Sequence, residues 1–161
     1  MTSVIEGSAV GFDPDEIRTD APTRDARLKW VVVVDGALPV GLAANAAICV
    51  AAATSRHVAG LLGPQAVDAD AAVHPGLPWA GCTVLAAGAD RLASLRVRAD
   101  ATFGVFVADM PASAQETRVY DEYLARVSEA PTAEQHYLAV SLIGPRARID
   151  KLVGGLRLLG R

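Results

Sequence analysis

The period of hydrophobic and polar positions changes several times along this chain, and each change marks an element. From Leu28 the run LKWVVVVD is almost continuously apolar and β-branched, the pattern of a strand covered on both faces. After Asp35 comes a loop, GALPV, and then Gly41 opens the run LAANAAICVAAATSR. Its alanines favour helix, and its near-absence of charge predicts a buried one. Pro64, Pro75, Gly76 and Pro78 then make the chain irregular, with a short extended piece around Gln65 to Val73.

A second strand is predicted over Cys82 to Ala87 and a helix over Ala89 to Arg98, with Leu92 and Leu95 on one face. Phe103 to Asp109 reads as a third buried strand. Ser113 and Glu116 have the spacing of a capping box, in which each side chain satisfies a free backbone N–H of the other residue. The helix that should follow carries a stripe of Val119, Tyr120, Tyr123, Leu124 and Val127, with Arg118, Glu122 and Arg126 on its outer side. Gln135 to Ile143 gives a fourth strand, and Pro145 to Val153 a last helix stopped by Gly154 and Gly155. Strands alternating with helices predict an α/β domain around a mostly parallel sheet, with ligands bound beyond the carboxyl ends of the strands.

Composition adds an asymmetry. Residues 1–27 hold six acids against three arginines, so the whole formal charge of −3 lies there. This stretch also contains Pro14 and Pro22 and little periodicity, and is read as an acidic, partly mobile extension to a domain over 28–161. From Gly144 to Arg161 five bases face one acid. With a neutral core, that is better explained as a solvated helix face than as a dedicated nucleic-acid surface. The longest nearly apolar stretch, Leu38 to Ala53, falls short of the roughly 20 residues of a membrane span. The N-terminus lacks the basic start and apolar centre of a secretory signal, so a cytoplasmic location is the expectation. Cys49 and Cys82 sit in apolar runs and are expected to pack as small, reduced hydrophobes.

Candidate chemistry gathers at the strand ends. VVVVD ends in Asp35 and VFVAD in Asp109. On parallel strands both carboxylates reach one edge of the sheet, near the helix that starts at Gly41, where they could position a water, an amine or a metal ion. The alternative is that each aspartate hydrogen-bonds its own turn. Asn45, the one strongly polar side chain in the first half of its helix, either faces the site or clasps a neighbouring loop. Dinucleotide and phosphate-loop fingerprints, paired cysteines and the nucleophile elbow are absent, and His57, His74 and His136 lack metal-ligand spacing. No cofactor and no metal is expected.

KWVVVVDGALPVGLAANAA from Lys29, CTVLAAGADRLASL from Cys82, VFVAD, and AVSLIGPRARIDKLVGGLRLL from Ala139 together resemble the type II peptidyl-tRNA hydrolase superfamily over roughly Leu28 to Leu159. The pattern is closer still to its bacterial branch known as domain of unknown function 2000. The resemblance implies a three-layer α/β/α sandwich with a mixed four-stranded sheet, one strand antiparallel to the rest. It implies that Asp109 corresponds to the catalytic aspartate of the hydrolases. Where they carry the catalytic lysine this chain has Leu42, their threonine near the last strand is Ala139, and their alanine-alanine-glutamine run is echoed with a shift by Ala43, Ala44 and Asn45.

The resulting expectation is a small hydrolase or transferase acting on an acyl- or amide-containing small molecule or on an acyl-tRNA. Asp109 is the acid/base, and Asp35, Gly41 and Asn45 meet the substrate. A non-catalytic ligand-binding or protein-interaction module is the alternative, and a scaffold working as a homodimer is a third.

Overall fold

The computed structural model describes residues 9–161. In chain order the elements are β1 (Leu28–Asp35), α1 (Val40–His57), the short strands β2 (Ala66–Val67) and β3 (Val73–His74), β4 (Thr83–Ala87), α2 (Ala89–Asp100), β5 (Phe106–Pro111), α3 (Ser113–Glu116), α4 (Tyr120–Glu129), β6 (Tyr137–Pro145), α5 (Arg146–Val153) and β7 (Arg157–Leu158). The main sheet has the order β5-β6-β1-β4-β7. β1 pairs parallel to β4 and antiparallel to β6, which is antiparallel to β5. β1, β4 and β5 therefore run one way, and β6 and β7 the other. Among the described residues the sheet thus has five strands, not the four implied by the resemblance, and two of them are reversed. The added strand, β7, is two exposed residues long and too short to show any period.

β1 is the middle strand, and its residues from Val31 to Val34 are fully buried between two layers. Its alternate side chains feed two cores. Leu28, Trp30, Val32 and Val34 meet Ala43, Ala46 and Val50 of α1 on one face. Val31 and Val33 meet Leu92 and Leu95 of α2 and Ile149 and Leu152 of α5 on the other. The continuous apolar run is the consequence of this double coverage.

α1 is less buried than its composition predicts. Only Ala43, Ala46, Val50 and Thr54 are buried, while Val40, Leu42 and Ile48 are exposed. The helix lies on the outside of the sandwich and one stripe suffices to cover the sheet. Its other alanines express helix propensity rather than burial. Cys49 and Cys82 are correspondingly exposed, contrary to the expectation of buried thiols.

Under α1 a buried polar chain joins helix to sheet. Trp30 Nε1 donates to Ser141 Oγ (2.8 Å), the Ser141 and Thr54 hydroxyls lie 2.7 Å apart, and Thr54 Oγ1 donates to the Val50 carbonyl (2.8 Å). Since Thr54 gives its proton to Val50, Ser141 is the donor to Thr54, and every hydroxyl is satisfied.

Residues 9–27 pack onto the domain rather than trailing from it. Phe12 is buried, meets Trp79 edge-on at 4.8 Å, and hydrogen-bonds through its N–H to the Ala59 carbonyl (2.9 Å). Arg27 then ties the segment down, donating to the Gly11 carbonyl (2.9 Å) and through Nη2 to Glu16 Oε2 (2.8 Å). Residues 1–8, the remainder of the expected mobile extension, lie outside the described residues.

The capping box at Ser113 and Glu116 does not form. β5 runs almost directly into α3, so Ala112 takes the cap position and Ser113 enters the first turn. Its hydroxyl is buried without a partner, and Glu116 pairs with Arg126 at 3.1 Å instead. The helix expected from there is split, and the amphipathic part, α4, starts at Tyr120 without a single buried residue.

Candidate functional site

Asp35 and Asp109 do lie at the same edge of the sheet, but they do not converge. Val33 and Asp109 both pair with Val140, one from each side of β6. Asp109 is thus level with Val33, two residues short of Asp35, and two strand spacings away, roughly 10 Å. The reversed strand β6 keeps the carboxylates apart.

Asp35 is 7% exposed and its Oδ1 accepts the Ala37 N–H at 2.9 Å. It therefore organises its own turn, with His136 Nε2 at 3.9 Å from Oδ2. With Gly36, Gly88, Arg157 and Arg161 it lines an open hollow of about 510 Å³ at the ends of β1 and β4. Gly41 is exposed in the first turn of α1 and lines neither this hollow nor the cleft described next.

Asn45 and Asp109, 64 positions apart in sequence, meet in a second cleft of about 510 Å³ along β5, the outer strand of the sheet. α1 supplies Asn45, Cys49 and Ala53, β5 supplies Asp109 and Met110, and the chain from Ala114 to Tyr123 forms the opposite wall. Because β5 is at the margin, the cleft reaches round it to both faces of the sheet. Gln115 Nε2 donates to Asn45 Oδ1 (3.2 Å) and to the Leu42 carbonyl (3.0 Å), clasping α3 to α1. Asn45 is thus the clasp that one reading of the sequence foresaw, and its amide nitrogen is left to donate toward the cleft.

Asp109 is held from behind. Its Oδ2 meets Arg96 Nε of α2 at 3.0 Å, and Arg96 Nη1 also meets Asp100 at 3.2 Å. Burial works against the charge on Arg96, but the hydrogen bond and charge of Asp109 and the charge of Asp100 outweigh it and raise the pKa. The Asp109 side chain remains 21% exposed, with Oδ1 as the oxygen available to a ligand. Burial raises the phenol pKa of Tyr123, with the neighbouring Tyr120 and Asp109 adding to the shift. Burial likewise raises that of Tyr137, where Asp109 adds and Arg96 opposes.

Sequence reasoning missed Arg96, Gln115 and Arg118. Arg96 had a signal: it lies one turn after Leu92 and next to Leu95, beside the buried stripe of α2. Gln115 and Arg118 had none, since their position follows from how α3 and α4 pack. The basic C-terminal stretch is partly structural, because Arg146 donates to the Ala26 carbonyl (3.2 Å) and Arg148 to that of Phe103. Among the described residues no cluster of metal-ligating side chains forms and no helix is long and apolar enough to cross a membrane.

Fold and cleft define a mixed α/β protein with a five-stranded sheet and a small polar cleft at its margin. The family described as protein of unknown function (DUF2000) matches residues 28–160, and the chain belongs to that family. The fold is similar to that of a solved protein of unknown function, Atu0240 from Agrobacterium tumefaciens strain C58. That likeness has a TM-score of 0.68 and 17% identity, over 82% of this chain and 97% of that one. No curated protein matches the chain.

Proposed function

We propose that this chain is a peptidyl-tRNA hydrolase II-like protein that works on an acyl- or amide-containing small molecule, or on an acyl-tRNA, as a hydrolase or transferase at the β5 cleft. Asp109 is the acid/base and Asn45 the positioning group. The observation that supports this reading is that Asn45 and Asp109 line one cleft of about 510 Å³, a size suited to a small ligand. Asn45 presents an amide donor, which suits an acyl carbonyl, and Asp109 presents a carboxylate oxygen fixed in direction by Arg96. Asp35 stands outside this cleft, so substrate contact through it belongs to the hollow at β1 and β4, and Gly41 lines neither.

The test is turnover of peptidyl-tRNA, aminoacyl-tRNA and a panel of esters and amides by the full chain, beside Asp109→Asn. An acid/base role predicts a loss of about a hundredfold or more in the variant. Activity unchanged by Asp109→Asn removes that role.

A second reading, a binding module without turnover, is favoured by a specific observation. Leu42, at the position of the hydrolases' lysine, is exposed in the first turn of α1 and lines neither cleft nor hollow. No amine is supplied there. Saturable binding with no turnover across the panel is the outcome that selects this reading.

A further inference from the structure

We propose that the ligand of the β5 cleft is a small monoanion, a carboxylate carrying an apolar or aromatic group, and that Arg118 anchors its charge. The proposal rests on the cleft being the working site, and adds the class of ligand it selects.

Among the lining residues the ionisable groups of fixed opposite sign are Asp109 and Arg118. Asp109 is already paired with Arg96. Arg118 has no salt-bridge partner among the described residues. Of the acids nearest to it in sequence, Glu116 pairs with Arg126, and neither it nor Asp121 or Glu122 lines the cleft. The uncompensated charge on the lining is therefore positive and amounts to one guanidinium, that of the exposed Arg118, whose planar fork matches a carboxylate. A polyanionic backbone needs several such groups, so the lining suits a small molecule better than a nucleic acid.

One wall of the cleft is apolar and unburied. Val119 and Tyr120 are 52% and 73% exposed, although both belong to the apolar stripe of α4 and its entry. Tyr120 and Tyr123 stack edge-on at 5.4 Å, and both line the cleft with Met110 and Ala114. An apolar stripe at helical spacing normally packs on the core; the first part of this one, Val119, Tyr120 and Tyr123, lines the cleft beside Arg118. A ligand that places an aromatic ring on the tyrosines and a carboxylate on Arg118 uses both features.

N-acetyl-L-phenylalanine and its neutral analogue N-acetyl-L-phenylalaninamide differ in that one charge. They are titrated into the ¹⁵N-labelled full chain at low salt, reading amide shifts at Asn45, Cys49 and Tyr123. The acid should bind about tenfold tighter than the neutral amide. Arg118→Gln should bring the acid down to the affinity of the neutral compound and leave the latter unchanged. An unfolding midpoint equal to that of the parent protein shows the variant is folded. Equal affinities with saturable shifts in the cleft overturn the anion preference and leave the site standing. Absence of saturable shifts with both compounds overturns the site and the preference together.

Discussion

Arg96 Nε lies 3.0 Å from Asp109 Oδ2, joining α2 to the outer strand of the sheet across one face. Both side chains are about one-fifth exposed, too little for water to replace the partner freely. Arg96→Met should therefore leave a half-buried carboxylate uncompensated and destabilise the protein by about 1–3 kcal/mol. In the double variant Arg96→Met/Asp109→Asn part of that cost should return, since the stranded charge is gone. Urea unfolding of the four proteins of this cycle measures the coupling. Strict additivity would show that the pair contributes nothing.

The buried chain from Trp30 through Ser141 to Thr54 makes a second prediction. Ser141→Ala removes the acceptor of the Trp30 indole N–H in a site that excludes water, a loss of about 1–3 kcal/mol. Thr54→Val leaves the Trp30–Ser141 bond in place and takes away only the acceptor of the Ser141 hydroxyl, so it should cost less. Thermal unfolding of both variants decides the order.

Acid should loosen the N-terminal segment first. The Arg27 hydrogen bond, helped by the Asp13 backbone N–H, holds the Glu16 carboxyl at about 2, down from 4.5. A lowered folded-state pKa means that the stabilisation is complete above the unfolded value and is lost as pH falls through the folded one. The stability advantage of the parent over Glu16→Gln should thus be constant above about pH 5 and vanish between 4.5 and 2. Urea midpoints of both proteins across that range test it. An advantage that grew on acidification would contradict the assigned pairing.

Leu42 offers a test of the proposed likeness to the hydrolases. Its side chain is exposed and outside the cleft, so Leu42→Lys should fold with a change within about 0.5 kcal/mol. It should confer no peptidyl-tRNA hydrolysis, because position 42 does not line the cleft that holds Asp109. Release of the acyl group from peptidyl-tRNA by this variant alone would place the reacting centre at the start of α1.

Elements with a strong local period were legible in the sequence. β1 begins at Leu28 and ends at Asp35 as its apolar run predicts, and α5 ends at Val153 before Gly154 and Gly155, the latter at φ +80°. β5 starts at Phe106 rather than Phe103, because a turn closed by Val105 N–H to Thr102 O, with Gly104 at φ +75°, intervenes. Phe103 is left exposed. Local propensity reads Phe103, Val105 and Phe106 alike; the turn geometry separates them.

β5 runs past Asp109 to Pro111, but the sequence by itself determined which residues make the central strands and that Asp35 closes the first of them. Those are consequences of side-chain period and polarity, which act over a few residues. Tertiary structure alone decided that β6 runs backwards between β1 and β5, separating Asp35 from Asp109. It also decided that Asp109 pairs with Arg96 and shares with Asn45 a cleft that passes round the sheet margin. Strand order and direction depend on how the layers cover one another, and no stretch of ten or twenty residues carries that information.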